Sequence, residues 1–224
     1  MKGKDLAFLK DTLSFWKDLD ELQQRTLEES IVIKNFRVGE SMRGSSDQCS
    51  GLFLIKSGQV RAYIISESGR EITLYRLFER DVCIFSASCI MKNIAFEVYV
   101  EVEKDTQAYL IPTLVFQNLS KKVLAIQTFA NDLMASRFTD VMWIMEQALF
   151  SSFDRRLATF LIEQSNIDES DELVITHEKI ANHLGTAREV VTRMLKYFQE
   201  EGMVNLSRGK IMIVNRDKLQ ELYS

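Results

Sequence analysis

The stretch His177-Glu-Lys-Ile-Ala-Asn-His-Leu-Gly-Thr-Ala-Arg-Glu-Val-Val-Thr-Arg-Met-Leu195 decides the fold of the C-terminal third. Thr176, just before it, is a suitable N-cap, and Ile180, Ala181 and Leu184 form one face of a first helix. Ala181 is small where two crossing helices would touch. Gly185 supplies a left-handed turn residue, and Thr186 is expected to cap the next helix. In that second helix Val191, Met194, Leu195 and Phe198 face inward, while Arg188, Glu189, Thr192, Arg193 and Lys196 share the other side. Those outer residue types suit a DNA major groove. Arginine bonds the O6 and N7 of guanine, and glutamate accepts from the N4 amino group of cytosine. A glutamate facing DNA is repelled by phosphates unless it reads a base. The pattern therefore predicts Glu189 as a base reader, with Thr186, Arg188, Thr192, Arg193 and Lys196 as candidate DNA contacts around it. A helical hairpin with a solvated charged face explains the charges, but not the glycine, caps and small residue in one register.

Downstream, Gly202 ends the second helix, Met203-Val204-Asn205-Leu206 reads as a strand, and Ser207-Arg208-Gly209-Lys210 as a tight turn into Ile211-Met212-Ile213-Val214. This is a two-stranded wing, with Arg208 and Lys210 placed to meet backbone phosphates. Charge supports the reading. Between positions 176 and 216 seven basic residues face four acidic ones, a local +3 in a chain of net charge −4, so the remainder carries −7.

Working outward, the chain from Pro112, its single proline and a candidate first helical residue, to Gly185 contains no glycine. Ile126, Ala130, Leu133, Arg137, Val141, Ile144 and Ala148 recur every three or four residues as one seam of a long helix. Phe138, Met142, Met145 and Leu149 make a second apolar stripe. A helix apolar on two faces needs two partners: its own β domain and the same helix of a second chain, or else a fully internal position. Further upstream the texture changes. Glycines at 39, 44, 51, 58 and 69 punctuate short β-branched and aromatic runs, in which Val60, Ala62 and Ile64 alternate with Arg61 and Tyr63. Ser66 to Arg70 reads as a turn, and Val98, Val100 and Val102 alternate with Tyr99, Glu101 and Glu103. Many short strands predict a compact antiparallel barrel or sandwich. The residues from about 5 to 33 read as short helices. The expected class is α+β: an N-terminal antiparallel β domain over residues 1–125, a long helix over 126–150, and a C-terminal winged helix-turn-helix over 151–224.

Composition bounds the alternatives. With 224 residues, 46% hydrophobic and 27% charged, the chain has length for a buried core. No apolar run of about 18 residues is present, and the apolar N-terminal residues are broken by charges, which argues against a membrane span or a signal-peptide core. Three cysteines, Cys49, Cys83 and Cys89, give no disulfide framework and point to a reducing cytoplasm. Cys83 and Cys89 are possible redox thiols, but their apolar surroundings favour a structural role. His183 has no second histidine one turn away and reads as a DNA-proximal or surface residue. No nucleophile elbow, phosphate-binding loop, paired-carboxylate site or metal-ligand cluster is apparent.

The segments Gly58-Gln-Val60-Arg-Ala-Tyr63, Gly69-Arg70-Glu71, Leu74-Tyr75-Arg-Leu77 and Asp81-Val82, followed by a long helix and the winged helix-turn-helix, give the chain a family likeness over nearly its whole length. It resembles the CRP/FNR family of transcription regulators, and Arg188, Glu189 and Arg193 look like the base-reading trio of the cAMP-receptor branch. The resemblance implies a β-roll sensor domain over residues 1–125, a dimerisation helix over 126–150 and a winged helix-turn-helix over 151–224, in a non-enzymatic homodimer on a palindromic, TGTGA-like site in double-stranded DNA, with RNA polymerase as a further partner. The effector is another matter. In cAMP-binding relatives a Gly-Glu pair after the aspartate holds the ribose, and an Arg followed by Ser or Thr holds the phosphate. Here Ile84-Phe85 and Phe96-Glu97 stand at those places. A carboxylate in place of a phosphate-binding group is repulsive, so the resemblance implies a small-molecule or redox effector other than cAMP or cGMP. The oxygen-sensing branch holds an iron–sulfur cluster with four cysteines, and this chain has three. A histidine-ligated haem is disfavoured because both histidines lie in the DNA-binding segment. No cofactor is assigned. A second class of function, a small-molecule enzyme or thiol protein whose C-terminal helices only make protein contacts, leaves the trio without a role.

Overall fold

In the computed structural model, residues 3–42, 51–83 and 97–222 are described. The chain runs through helix α1 (Gly3–Thr12), a short 3-10 turn (Ser14–Asp18), α2 (Glu21–Ser30) and strands β1 (Val32–Phe36), β2 (Gly51–Ile65), β3 (Glu71–Leu77), β4 (Val82–Cys83) and β5 (Tyr99–Pro112). Helices α3 (Thr113–Ser120), α4 (Leu124–Phe150) and α5 (Phe153–Asp168) follow. The chain closes with β6 (Glu172–Leu173), α6 (His177–Leu184), α7 (Arg188–Glu200), β7 (Val204–Ser207), β8 (Lys210–Ile213) and α8 (Arg216–Glu221). The fold class is α+β, with an N-terminal antiparallel β domain and a C-terminal winged helix-turn-helix.

Contacts divide the chain into two compact units, residues 1–63 with 74–141, and residues 64–73 with 142–224. In the first, described strands form an antiparallel sheet in the order β1-β5-β2-β3, with β4 also paired to β2. The alternation read at Val60, Ala62, Val100 and Val102 puts all four in the core, none more than 3% exposed. Arg61, which alternates with Val60 and Ala62 along β2, is buried as well. It sits opposite Glu101 in the β2–β5 register, makes a 2.8 Å ion pair with it, and lies over the Tyr63 ring. A cross-strand partner offsets the cost of desolvating the charge. Asp5 ties α1 to the sheet, accepting from Lys56 Nζ at 2.8 Å and from the Tyr109 hydroxyl at 2.6 Å. Burial, then the hydrogen bond to Asp5, pushes the Tyr109 phenol up. Pro112 ends β5 and is the N-cap of α3 rather than its first residue. A capping residue keeps an extended ψ, which is the conformation a strand's last residue already has.

Helix α4 is where the expected seam needs correcting. Ile126 is fully buried in the core of its own β unit, and Ala130 and Leu133 pack against that core with Phe129. Arg137 is buried beneath Tyr75, with its guanidinium 2.8 Å from Asp140 and 3.7 Å from Asp81. The first half of the seam is therefore spent within the chain. Val141 and Ile144 are half-buried and Ala148 is exposed. The stripe that stays open is the other one: Phe138 (66% exposed), Met142, Met145 and Leu149. Its spacing of four, three and four residues is that of a coiled-coil seam.

Candidate nucleic-acid interface

The second unit has its own core, in which Leu157, Leu161, Ile180, Val191, Leu195, Phe198 and Val204 are each completely buried. Thr176 caps α6 as expected, its side chain accepting from the Lys179 amide at 3.2 Å. Ala181 is 2% exposed at the helix crossing. Gly185 adopts φ +67°, the left-handed conformation that ends a helix without a Cβ penalty. Arg156 of α5 donates to the last carbonyl of α6, that of Leu184. The expected cap at Thr186 is displaced by one residue. Its amide closes α6 by donating to the Ala181 carbonyl at 3.1 Å, and Ala187 becomes the N-cap of α7, without a side-chain hydrogen bond.

Helix α7 presents the two faces that its sequence called for. Val191, Leu195 and Phe198 are buried and Met194 packs beside them. Arg188, Glu189, Arg193 and Lys196 are exposed, and Thr192 is half-buried. The wing is a β7–β8 hairpin in which Ser207 pairs with Lys210, leaving Arg208 and Gly209 as the turn, and β6 extends the sheet by pairing with β8. Arg208 is exposed. Lys210 makes a 2.6 Å ion pair with Glu172, with both side chains more than two-fifths exposed. Such a pair is weak and exchanges partners readily. Between α6, α7 and the wing turn lies a cleft of about 480 Å³, lined by Thr176, His177, Glu178, Arg188, Arg208 and Lys210 among others. The unit thus brings together, on one side, a helix with exposed hydrogen-bonding side chains and a basic turn.

Two histidines behave differently from the sequence reading. His183 is a buried core residue, not a surface one. It is 7% exposed, with its ring 5.2 Å from Phe160 and its Nδ1 2.8 Å from Thr73 Oγ1. A buried imidazole needs a polar partner, and Thr73 is too distant in sequence for spacing to indicate it. His177 received no specific role from sequence, yet it lines the cleft and its Nδ1 lies 2.8 Å from Thr192 Oγ1 on α7. Burial, and then the Arg188 charge, hold it below the ordinary histidine range.

Of the residues singled out for effector or redox roles, Cys83 is fully buried and Glu97 accepts from the Tyr99 hydroxyl at 2.7 Å. Cys49, Cys89, Ile84, Phe85 and Phe96 lie outside the described residues. Among the described residues no helix is long and apolar enough to cross a membrane.

Residues 155–222 match the Crp-like helix-turn-helix domain and residues 33–122 the cyclic nucleotide-binding domain. A solved structure of a Crp/Fnr-family transcriptional regulator from Eubacterium rectale is 47% identical, covering 96% of this chain and 99% of that one, with a TM-score of 0.92. The chain belongs to the CRP/FNR family of transcription regulators. It is also 28% identical over 222 residues to Electron transport regulator A of Shewanella oneidensis, covering 94% of this chain and 85% of the relative. Regulatory protein HlyX of Actinobacillus pleuropneumoniae is 29% identical over 180 residues, covering 77% and 73% respectively. As a CRP/FNR protein the chain is a transcription regulator with a DNA-binding helix-turn-helix, not an enzyme.

Proposed function

We propose that this CRP/FNR regulator works in the cytoplasm as a homodimer. Each α7 enters one major groove of an inverted repeat with TGTGA-like half-sites. One observation carries the reading: Arg188, Glu189 and Arg193 are all exposed on α7, while Val191, Leu195 and Phe198 of the same helix are buried. Arg188 and Arg193 contact guanines, and Glu189 takes the cytosine amino group of a G·C pair. Thr186, Thr192, Lys196, Arg208 and Lys210 supply neighbouring contacts, those of the wing to phosphates. RNA polymerase is the partner through which the bound dimer acts on transcription.

The dimer face is the open stripe of α4 around Phe138, Met142, Met145 and Leu149, with Val141, Ile144 and Ala148 beside it. Light scattering of the protein with a short duplex carrying the inverted repeat tests both halves of the reading. The expected complex holds two chains per duplex, and Phe138→Asp, which places a charge in the seam, leaves a folded monomer with weakened DNA binding. One wild-type chain per duplex, or no complex, overturns the proposal.

The sensor unit answers to a small-molecule or redox effector other than cAMP or cGMP. In this reading Phe96 and Glu97 take the places where relatives that bind cAMP have a phosphate-binding Arg followed by a hydroxyl residue. Isothermal calorimetry with cAMP and with cGMP is expected to give no heat of binding at micromolar ligand. Micromolar binding of either nucleotide would refute the placement of residues 84–97.

A further inference from the structure

The cleft between α6, α7 and the wing turn holds a group that direct base reading does not use. His177 is half-buried there, at the first position of α6. Its Nδ1 is 2.8 Å from Thr192 Oγ1, and that hydroxyl donates its single proton to the Arg188 carbonyl at 3.0 Å. With the hydroxyl proton committed, Thr192 can only accept, so the network assigns the His177 proton to Nδ1. Nε2 is then the nitrogen free to gain or lose a proton, and it does so without breaking the bond to the recognition helix.

The surroundings define what a second proton would meet. On its own helix the neighbour is Glu178, and from α7 it is Arg188. From the wing come Arg208 and Lys210, and Lys210 is engaged by Glu172 at 2.6 Å. In the free protein the cleft is therefore net positive and partly desolvated, both of which favour the neutral ring. A phosphate lodged beside the wing's Arg208 offsets both pressures. Its negative charge attracts an imidazolium, and its oxygens reward a second N–H donor where a lone pair would repel them.

We infer that His177 is a proton-linked phosphate contact, taking up one proton as the DNA backbone enters the cleft beside the wing. The inference rests on the DNA-binding reading and adds to it a dependence on pH. The direction follows from linkage. A complex that holds one more proton than its free components tightens as pH falls from the value at which the bound ring titrates to that at which the free ring does. Between those values the slope approaches one proton, and outside them it vanishes.

Fluorescence anisotropy of the full-length protein on a labelled duplex with the TGTGA-type inverted repeat, at constant ionic strength, measures this directly. From about pH 8 to about pH 6, the range over which histidine changes charge, wild-type affinity is expected to rise about five- to tenfold. His177→Gln keeps a donor for Thr192 but cannot be protonated, so its affinity stays flat near the wild-type value at high pH. His177→Arg carries a fixed charge and stays flat near the value at low pH. A flat wild-type profile, or a His177→Gln variant that keeps the wild-type slope, overturns the inference while leaving DNA binding intact. Failure of the wild type to bind the duplex at any pH overturns the DNA-binding reading itself, and this inference with it.

Discussion

Phe198→Ala should cost the C-terminal unit about 3–5 kcal/mol, the range typical of removing a large buried aromatic ring. Phe198 is completely buried between α7 and the rest of the unit's core, beside Leu195, Val191 and Leu161. Deleting its ring removes apolar area from the core and leaves a cavity that a small domain cannot easily close. Tyr197, one residue earlier, is 46% exposed, and Tyr197→Ala should stay within about 1 kcal/mol. The contrast follows from the helical register of α7. Urea unfolding followed by circular dichroism checks it, and similar midpoints for the two variants would mean that α7 is rotated from the register described. Since the same register exposes Arg188, Glu189 and Arg193, such a result would also remove the basis for base reading.

The second large effect is on recognition. Arg193→Ala should weaken binding to the preferred site by about five- to 150-fold, the equivalent of about 1–3 kcal/mol for one base contact. Glu189→Ala should relax the preference at one base pair more than it lowers general affinity, because its loss also relieves a repulsion from phosphates. Lys210→Ala acts differently. It removes a positive charge from the wing and frees Glu172, so binding should weaken on all sequences and the salt dependence should drop by about one unit. Quantitative gel shifts at several salt concentrations, on the preferred site and on unrelated DNA, separate these outcomes. A Glu189→Ala variant with an unchanged base profile would refute its assignment.

Much of the DNA-binding unit was legible because its determinants are local. A threonine cap, a left-handed glycine, a small residue at the crossing and a period near 3.6 all lie within about twenty residues. What escaped was set by distant partners. His183 reads as polar in an amphipathic helix, yet it is buried because Thr73 and Phe160 receive its ring. Arg61 alternates with the apolar Val60 and Ala62 along β2, yet it is buried as well, because Glu101 lies across from it on β5. On α4 the periodicity identified two apolar stripes but could not say which the chain uses itself. Ile126, Ala130 and Leu133 turned out to serve the β unit, while the stripe beginning at Phe138 stays exposed. Thr186 illustrates a finer limit. Either it or Ala187 can precede a helix start, and the choice depends on the backbone bond from Thr186 to Ala181 that closes α6.

The central claim is that two copies of this chain read one two-fold symmetric DNA site through α7. Selection from a random duplex pool by the wild-type protein, followed by sequencing, tests it most directly. The expected result is an inverted repeat of TGTGA-like half-sites with centres about one helical turn apart. Enriched sequences without two-fold symmetry, or no enrichment over the starting pool, would contradict it.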